Sequence, residues 1–399
     1  VINKQVIEQK MKYKLFSTLS FSIITLLANA QVNKLRMNAN IHLPQDSIEC
    51  KMLISGINDF LLSAQKPNEE NKLVLEAEKI ETFLLLDEIK GIEKSGKFKD
   101  DFFYKPYLTN AVYLEAGQYL IQVSYIGTSE NSAMLRASFT FIGHKGKDSF
   151  SFSSPLHSYT KNWKTEKTGN VLFHYQNAIN QSKTKEYNQL ISLFDKKLKI
   201  INNTTELYCS ENFPEILKLI GVEYKSDYNG QSENVFNSSF GNKQIIVLGN
   251  DNANFSHFDP HDLWHDRLSL VISRGLVNKP VDEGYAYLYG GSWGISWKEI
   301  FKEFKEQVVT GKTPNWAEIK ETPIYFKTKG YNNSADYIVN ALLVQKIEKE
   351  KGFEGVWEFL NCGKYEKGNE NYYKSLEKLT GITKANYNVK ISELINKEK

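Results

Sequence analysis

The stretch HDLWHDR, His261 to Arg267, sets two histidines four residues apart. On a helix that spacing puts both imidazoles on one face, one turn apart, where they can converge on a single ion. Alone, such a pair reads as two core histidines. What flanks it changes that. Asp259-Pro260 in front is a helix start, with aspartate at the N-cap and proline at the first helical position. The helix is expected to run through Arg274, with Gly275 as its C-cap. After the turn Val277-Asn278-Lys279-Pro280 comes VDEGYAYLYGG. There Asp282 is expected to cap a second helix, Glu283 to stand in its first turn, and Gly284 to allow close helix packing. Two imidazoles and one carboxylate, His261, His265 and Glu283, make a Zn2+ ligand set. It leaves the fourth tetrahedral position open, which is the catalytic arrangement. A structural zinc site takes four protein ligands, mostly cysteines, and none is near.

HDLWH followed by VDEGYAYL resembles the HExxH and downstream EGxA of the gluzincins, in particular the peptidase MA-like proteins. The lead-in VLFHYQ, TELYCS and QIIVLGN, with helices between, resembles that fold's strand-helix-strand order. The stretch DYIVNALLVQKIEKEKGFEGVWEFL resembles its C-terminal helices, one ending at Gly352. The resemblance covers roughly residues 161–394. It implies zinc held by His261, His265 and Glu283, peptide-bond hydrolysis by metal-activated water, and a peptide or protein substrate. It places Asp262 at the general-base position, where the family has glutamate. Aspartate keeps the charge, but its carboxylate stops one methylene short, a retreat on the order of 1 Å that can cost about a hundredfold in rate. The alternative on the same fold is therefore a catalytically inactive protein that binds zinc, or a glycan or surface. The family also uses a tyrosine or histidine to stabilise the oxyanion. Tyr285, Tyr287, Tyr331 and Tyr337 are available and the sequence does not choose; Tyr337 is carried forward with Asp262 as a catalytic candidate. His257 reads as a loop residue, too far along the chain from His265 for one zinc. Asp266 reads as a surface charge or a residue that orients a ligand imidazole. The aromatics Tyr285, Tyr287, Tyr289, Trp293 and Trp297 read as packing or the lining of a cleft.

The elements that position these residues come from periodicity. Helices are expected over Lys183 to Ile201, Asn212 to Ile220, Trp297 to Val309, Ala335 to Glu350 and Gly355 to Leu360, and strands over Val171 to Gln176, Thr205 to Ser210 and Gln244 to Leu248. From Asn40 to Ser154 the pattern is mostly that of strands. Tyr119, Ile121, Val123 and Tyr125 alternate along a hairpin that turns at Ala116-Gly117-Gln118. The fold class expected is α+β: a β-sandwich accessory domain over residues 31–155, with possible glycan contact, then a peptidase MA-like domain over 161–399 made of a small sheet, the zinc-site helix and a helical lobe.

Composition bounds the rest. The 399 residues are 41% hydrophobic and 24% charged, and 50 basic against 47 acidic residues give a net charge of +3, too small to argue for a nucleic-acid partner. Cys50, Cys209 and Cys362 are too far apart and too few for a disulfide framework or a zinc knuckle. Met11-Lys-Tyr-Lys, the apolar run Leu15 to Leu27 and Ala28-Asn29-Ala30 have the order of a signal peptide over residues 11–30 cleaved after Ala30, with residues 1–10 an over-extended start. No later stretch is long and apolar enough to span a membrane. The expected location is secreted or periplasmic.

Overall fold

The computed structural model describes residues 35–38 and 40–398; the expected leader, its cleavage point and the extra start lie outside the described residues. The described chain is α+β, with three sheets among its helices. None of its described helices is long and apolar enough to cross a membrane. It divides into two compact units. The first takes the described residues up to Lys167 with Val171–Ala178 and Thr204–Asn254. The second takes Thr168–Asn170, Ile179–Asn203 and the chain from Phe255 onward.

The first unit runs β1 (Arg36–Met37), α1 (Ser47–Ser63), α2 (Lys79–Ile89), β2 (Lys105–Tyr113), β3 (Gln118–Ser129), β4 (Ser132–Lys145), β5 (Phe150–Ser153), α3 (Leu156–Thr160), β6 (Lys164–Thr168) and β7 (Val171–Tyr175). After α4 (Gln181–Leu198), which belongs to the second unit, it resumes with β8 (Thr204–Cys209), α5 (Phe213–Ile220), β9 (Val222–Lys225), β10 (Val235–Phe240) and β11 (Lys243–Leu248). One sheet has the order β1-β2-β3-β4-β5, with β9 also paired to β4. The β2–β3 hairpin turns where expected, with φ of 49° at Ala116 and 76° at Gly117. Tyr119, Ile121, Val123 and Tyr125 are buried on one face as the alternation requires.

The layer over that sheet is helical, which corrects the sandwich expected for residues 31–155. Leu53, Ile57, Phe60 and Leu61 of α1 are buried, and the Phe60 ring lies 5.3 Å from Phe141 and 4.9 Å from Phe152. Their spacing is helical and was there to be read. In α2 the buried residues go nearly all the way round, which removes the periodicity that would reveal it. The second sheet, β10-β11-β8-β7-β6, has β11, β8 and β7 parallel and β10 antiparallel at its edge. Of its strands, β7, β8 and β11 are those expected to lead into the histidine helix, and β6 and β10 extend the sheet at its two edges. They fold in the first unit, where Tyr208, Ile245 and Val247 share a buried cluster with Leu85 and Phe141. The boundary expected near residues 155–161 falls inside this unit. Cys50, Cys209 and Cys362 are free thiols.

The second unit holds α4, α6 (Pro260–Ser269), α7 (Lys279–Gly290), α8 (Trp297–Phe304), α9 (Trp316–Glu321), the hairpin β12 (Tyr325–Thr328) and β13 (Tyr331–Ser334), α10 (Ala335–Leu360), α11 (Glu370–Thr380) and α12 (Tyr387–Lys397). The break expected at Gly352 is present, with φ 69° inside α10. Asn180 caps α4 by accepting from the Ser182 and Lys183 amides. Arg267 of α6 is buried and grips Asp195 of α4 through two bonds of 2.7 and 2.8 Å. Helices α7 and α10 meet backbone to backbone at Gly284, where a Cβ would stand 2.7 Å from the Ala341 nitrogen and the Asn340 carbonyl carbon.

Two measurements test this packing. Gly284→Ala should destabilise the protein by about 1–3 kcal/mol in denaturant unfolding, since α7 and α10 must part to admit the methyl group; unchanged stability would mean the helices are not in contact there. In the first unit, Glu206 accepts from His174 (2.9 Å) and Lys243 (2.8 Å). The His174 bond leads, and against the cost of burial these partners pull the Glu206 pKa from 4.5 down to about 2. The folded state thus favours the carboxylate. Its stabilisation is complete above about pH 4.5 and is lost as pH falls toward 2. Glu206→Gln should therefore flatten the decline of stability between about pH 4.5 and pH 2.

Candidate metal centre

The histidine helix starts as the sequence indicates. Asp259 accepts from the His261 amide at 2.8 Å, and Pro260 occupies the first turn. It ends sooner than expected, at Ser269. Leu270 and Val271 close it with bonds back to Arg267 and Leu268, and the following Val271-Ile272-Ser273 has weak helix propensity. Arg274 therefore lies beyond the helix, free to fold back over it. In helix α7 the N-cap position is held by Asn278, not by Asp282, without a side-chain bond to the helix, and Pro280 stands in its first turn. Asp282 faces inward instead and is buried. The C-terminal end of α7 touches the start of α6: a Cβ on Gly290 would stand 2.3 Å from the His261 nitrogen.

These elements bring His261, His265 and Glu283 together. The two Nε2 atoms are 3.1 Å apart, and Glu283 Oε2 lies 3.4 Å from that of His261 and 3.8 Å from that of His265. Their side chains are 12%, 9% and 13% exposed, so the donors are shielded but reachable. Each imidazole is fixed through its other nitrogen. His261 Nδ1 donates to the Gly291 carbonyl at 2.8 Å and His265 Nδ1 to Asp282 Oδ1 at 3.1 Å. Both Nε2 atoms are thereby directed at the same point as the glutamate oxygen. Ligands about 2.0–2.1 Å from a tetrahedral zinc are separated by about 3.3 Å from one another, so this donor set fits such an ion.

Charge points the same way. Burial disfavours a charged His265, but the Asp282 and Glu283 carboxylates outweigh it and raise its pKa to about 9. Burial likewise opposes the Glu283 carboxylate, and the two histidines overcome that and hold its pKa well below the usual range. The cluster stabilises positive charge at its centre. Arg274 supplies one such charge in this structure: its Nε meets Asp282 Oδ2 at 2.9 Å, and its Nη2 stands 3.0 Å from Glu283 Oε1 and 3.3 Å from His265 Nε2, so an ion held by those two donors would displace that Nη2.

The remaining sequence candidates separate. Asp262 follows His261 on α6 and is exposed. Tyr337, in the first turn of α10, is half-buried. Its ring lies 5.9 Å from Tyr287, whose own ring lies 5.3 Å from His261. Burial and the nearby charge of Glu283 push the Tyr337 pKa upward, so its hydroxyl keeps its proton. Tyr285 is buried 3.9 Å from Trp264 and takes a hydrogen bond from Lys197, so it is packing. Tyr331 is exposed and stacks on Trp293. His257 is exposed, its Nδ1 3.1 Å from Ser256 Oγ. Burial, with the charge of Asp262, raises the Asp266 pKa to about 6; the carboxylate bonded to the His265 ring at Nδ1 is that of Asp282. Reading the sequence missed the roles of Asp282, Arg274, Gly290 and Gly291.

No protein-family model, curated protein or solved structure matches the chain. The likeness to the gluzincins therefore rests on these residues alone.

Asp282→Asn leaves the ligands in place but weakens the hold on His265. It should lower zinc affinity about 10–100-fold in competition with a chromophoric chelator. An affinity equal to that of the unaltered protein would remove Asp282 from the site.

Proposed function

We propose that the protein is a zinc-dependent metallopeptidase-like hydrolase of the gluzincin type, exported through its leader. One observation carries this reading: two Nε2 atoms and a carboxylate oxygen meet within 3.1–3.8 Å, with both Nδ1 atoms committed to other acceptors. His261, His265 and Glu283 would hold the ion. A bound Zn2+ supplies Lewis acidity toward a peptide carbonyl and lowers the pKa of a coordinated water.

The chain does the rest. Asp262 takes the proton of the attacking water and passes it to the departing amine as the C–N bond breaks. Tyr337 donates its hydroxyl proton in a hydrogen bond to the oxygen on which negative charge develops. Asp282 keeps His265 in the tautomer that presents Nε2, and the Gly291 carbonyl does the same for His261. Asp259 and the Gly290 contact fix the start of α6, and with it the direction from which Asp262 approaches.

The second reading, a fold that binds zinc without cutting, is favoured by the same residue. The Asp262 carboxylate is one methylene short of the family's glutamate, and a misplacement of about 1 Å can cost about a hundredfold.

Metal content and peptide cleavage test both. Natively purified protein should carry close to one equivalent of zinc, and less than half an equivalent argues against the centre. Cleavage of a mixed peptide library should be abolished in His265→Ala. Asp262→Glu decides between the readings: a short-armed peptidase should keep its rate or gain up to about a hundredfold. A protein that only binds should stay inert with the longer side chain.

A further inference from the structure

The loop after α7 carries a residue that the candidate centre does not use. Gly291, whose carbonyl holds His261, opens a tight turn in which Ser292 and Ile295 exchange both backbone hydrogen bonds, at 3.1 and 2.9 Å. Its central residues, Trp293 and Gly294, have φ of 54° and 69°. Positive φ at both central positions is the type I′ signature, which selects asparagine, aspartate or glycine. An indole at the first position is strained, because its Cβ crowds the backbone carbonyl. Yet Trp293 stands there 62% exposed, its ring stacked on that of Tyr331 at 5.2 Å and 11°. Tyr331 is itself 48% exposed. A strained turn that holds an aromatic ring out to solvent points to use by a ligand.

The other half of the pair is tied to the centre as well. Asn333 shares a strand face with Tyr331, is buried, and accepts from the Tyr287 hydroxyl at 3.3 Å; the Tyr287 ring lies on His261. The strand β13 also has an open backbone edge. On β12, Lys327 sends both its N–H and its C=O to the Gln307 side chain, at 3.2 and 2.7 Å, and so away from β13. Asn332 is its partner in register. In an antiparallel pair, opposite residues that do not bond each other both point outward. The N–H and C=O of Asn332 therefore face away from β12, on a side where no described strand pairs with β13.

We propose that Trp293, Tyr331 and the outer edge of β13 form a binding subsite for the polypeptide substrate. A segment lies extended beside β13, exchanges two backbone hydrogen bonds with Asn332, and lays an aromatic or proline ring on Trp293. The paired N–H and C=O select a peptide. A sugar ring can stack on the same indole, but it does not offer the matching donor and acceptor of a peptide unit. The peptidase reading supplies the bond to be cut; binding at this subsite needs no metal.

The test reads binding alone. Full-length protein treated with EDTA is titrated calorimetrically with blocked glycine hexapeptides bearing one phenylalanine or one proline. The all-glycine hexapeptide and chitohexaose serve as the other arms. The ring-bearing peptides should bind at least about tenfold more tightly than the all-glycine peptide. Trp293→Asn should bring them down to that level while its melting temperature holds or rises, because asparagine suits the turn. Trp293→Phe should retain most of the affinity. Unchanged binding in Trp293→Asn, a lowered melting temperature that shows the indole to be packing, or tighter binding of the oligosaccharide than of the peptides overturns the proposal. A failure of the peptidase reading looks different: peptides bind with this preference and are never cut.

Discussion

Asp282 is 1% exposed and ionisable, and a carboxylate so placed survives only if donors surround it. Three do. Trp264 Nε1 and His265 Nδ1 share one oxygen, at 2.9 and 3.1 Å, while Arg274 Nε takes the other at 2.9 Å. Those donors come from α6 and from the chain just beyond it, while the acceptor belongs to α7. A single buried anion thus sets the rotation of α6 about its axis, the tautomer of one candidate ligand and the path of the connecting loop. Remove the carboxylate altogether and three donors lose a partner at once. The geometry around His261, His265 and Glu283 thus depends on a residue outside the candidate ligand set.

Packing supplies what this interaction cannot. Trp264 is buried against Phe194 of α4 (5.5 Å) and Tyr285 of α7 (3.9 Å), so the indole that binds Asp282 is also the apolar link between three helices. Gly284 and Gly290 let α7 approach α10 and the start of α6 at backbone contact. With those approaches fixed, the backbones that carry Glu283 and the two histidines are held close together, and the bonds to the imidazoles set the rest.

What could be read from the sequence follows from range. The clustering of His261, His265 and Glu283, the Asp259-Pro260 start, the Gly284 approach and the break at Gly352 are local signals of spacing, capping and backbone freedom, and the structure has each of them. The hairpin around Ala116-Gly117 was legible for the same reason. The helical layer over residues 47–89 was half legible. The α1 stripe has a period, but α2 is buried nearly all round and has none. The end of α6 was misplaced because Arg274 looks like a C-terminal helix cation, whereas its partners Asp282 and Glu283 lie on the next helix. The buried role of Asp282 has no local signature, since an acidic residue near a helix start reads first as a cap or a dipole partner.

The same constraints bear on the missing methylene at Asp262. A shorter base can be rescued if the helix that carries it slides toward the bond being broken. Here the N-terminal turn of α6 is already held at three places. Asp259 caps it, the Gly291 carbonyl binds the His261 ring, and Gly290 lies so close to the His261 backbone that even a methyl group has no room. Sliding toward α7 is blocked by contact, and sliding away would break the His261 bond and pull its Nε2 from the other donors. The gap at Asp262 is therefore not one the fold can close by moving α6. In the proposed hydrolysis it would have to be bridged by a water molecule between the carboxylate and the reacting group, or by a substrate that seats its carbonyl nearer to α6, and either demand falls on how the substrate is held.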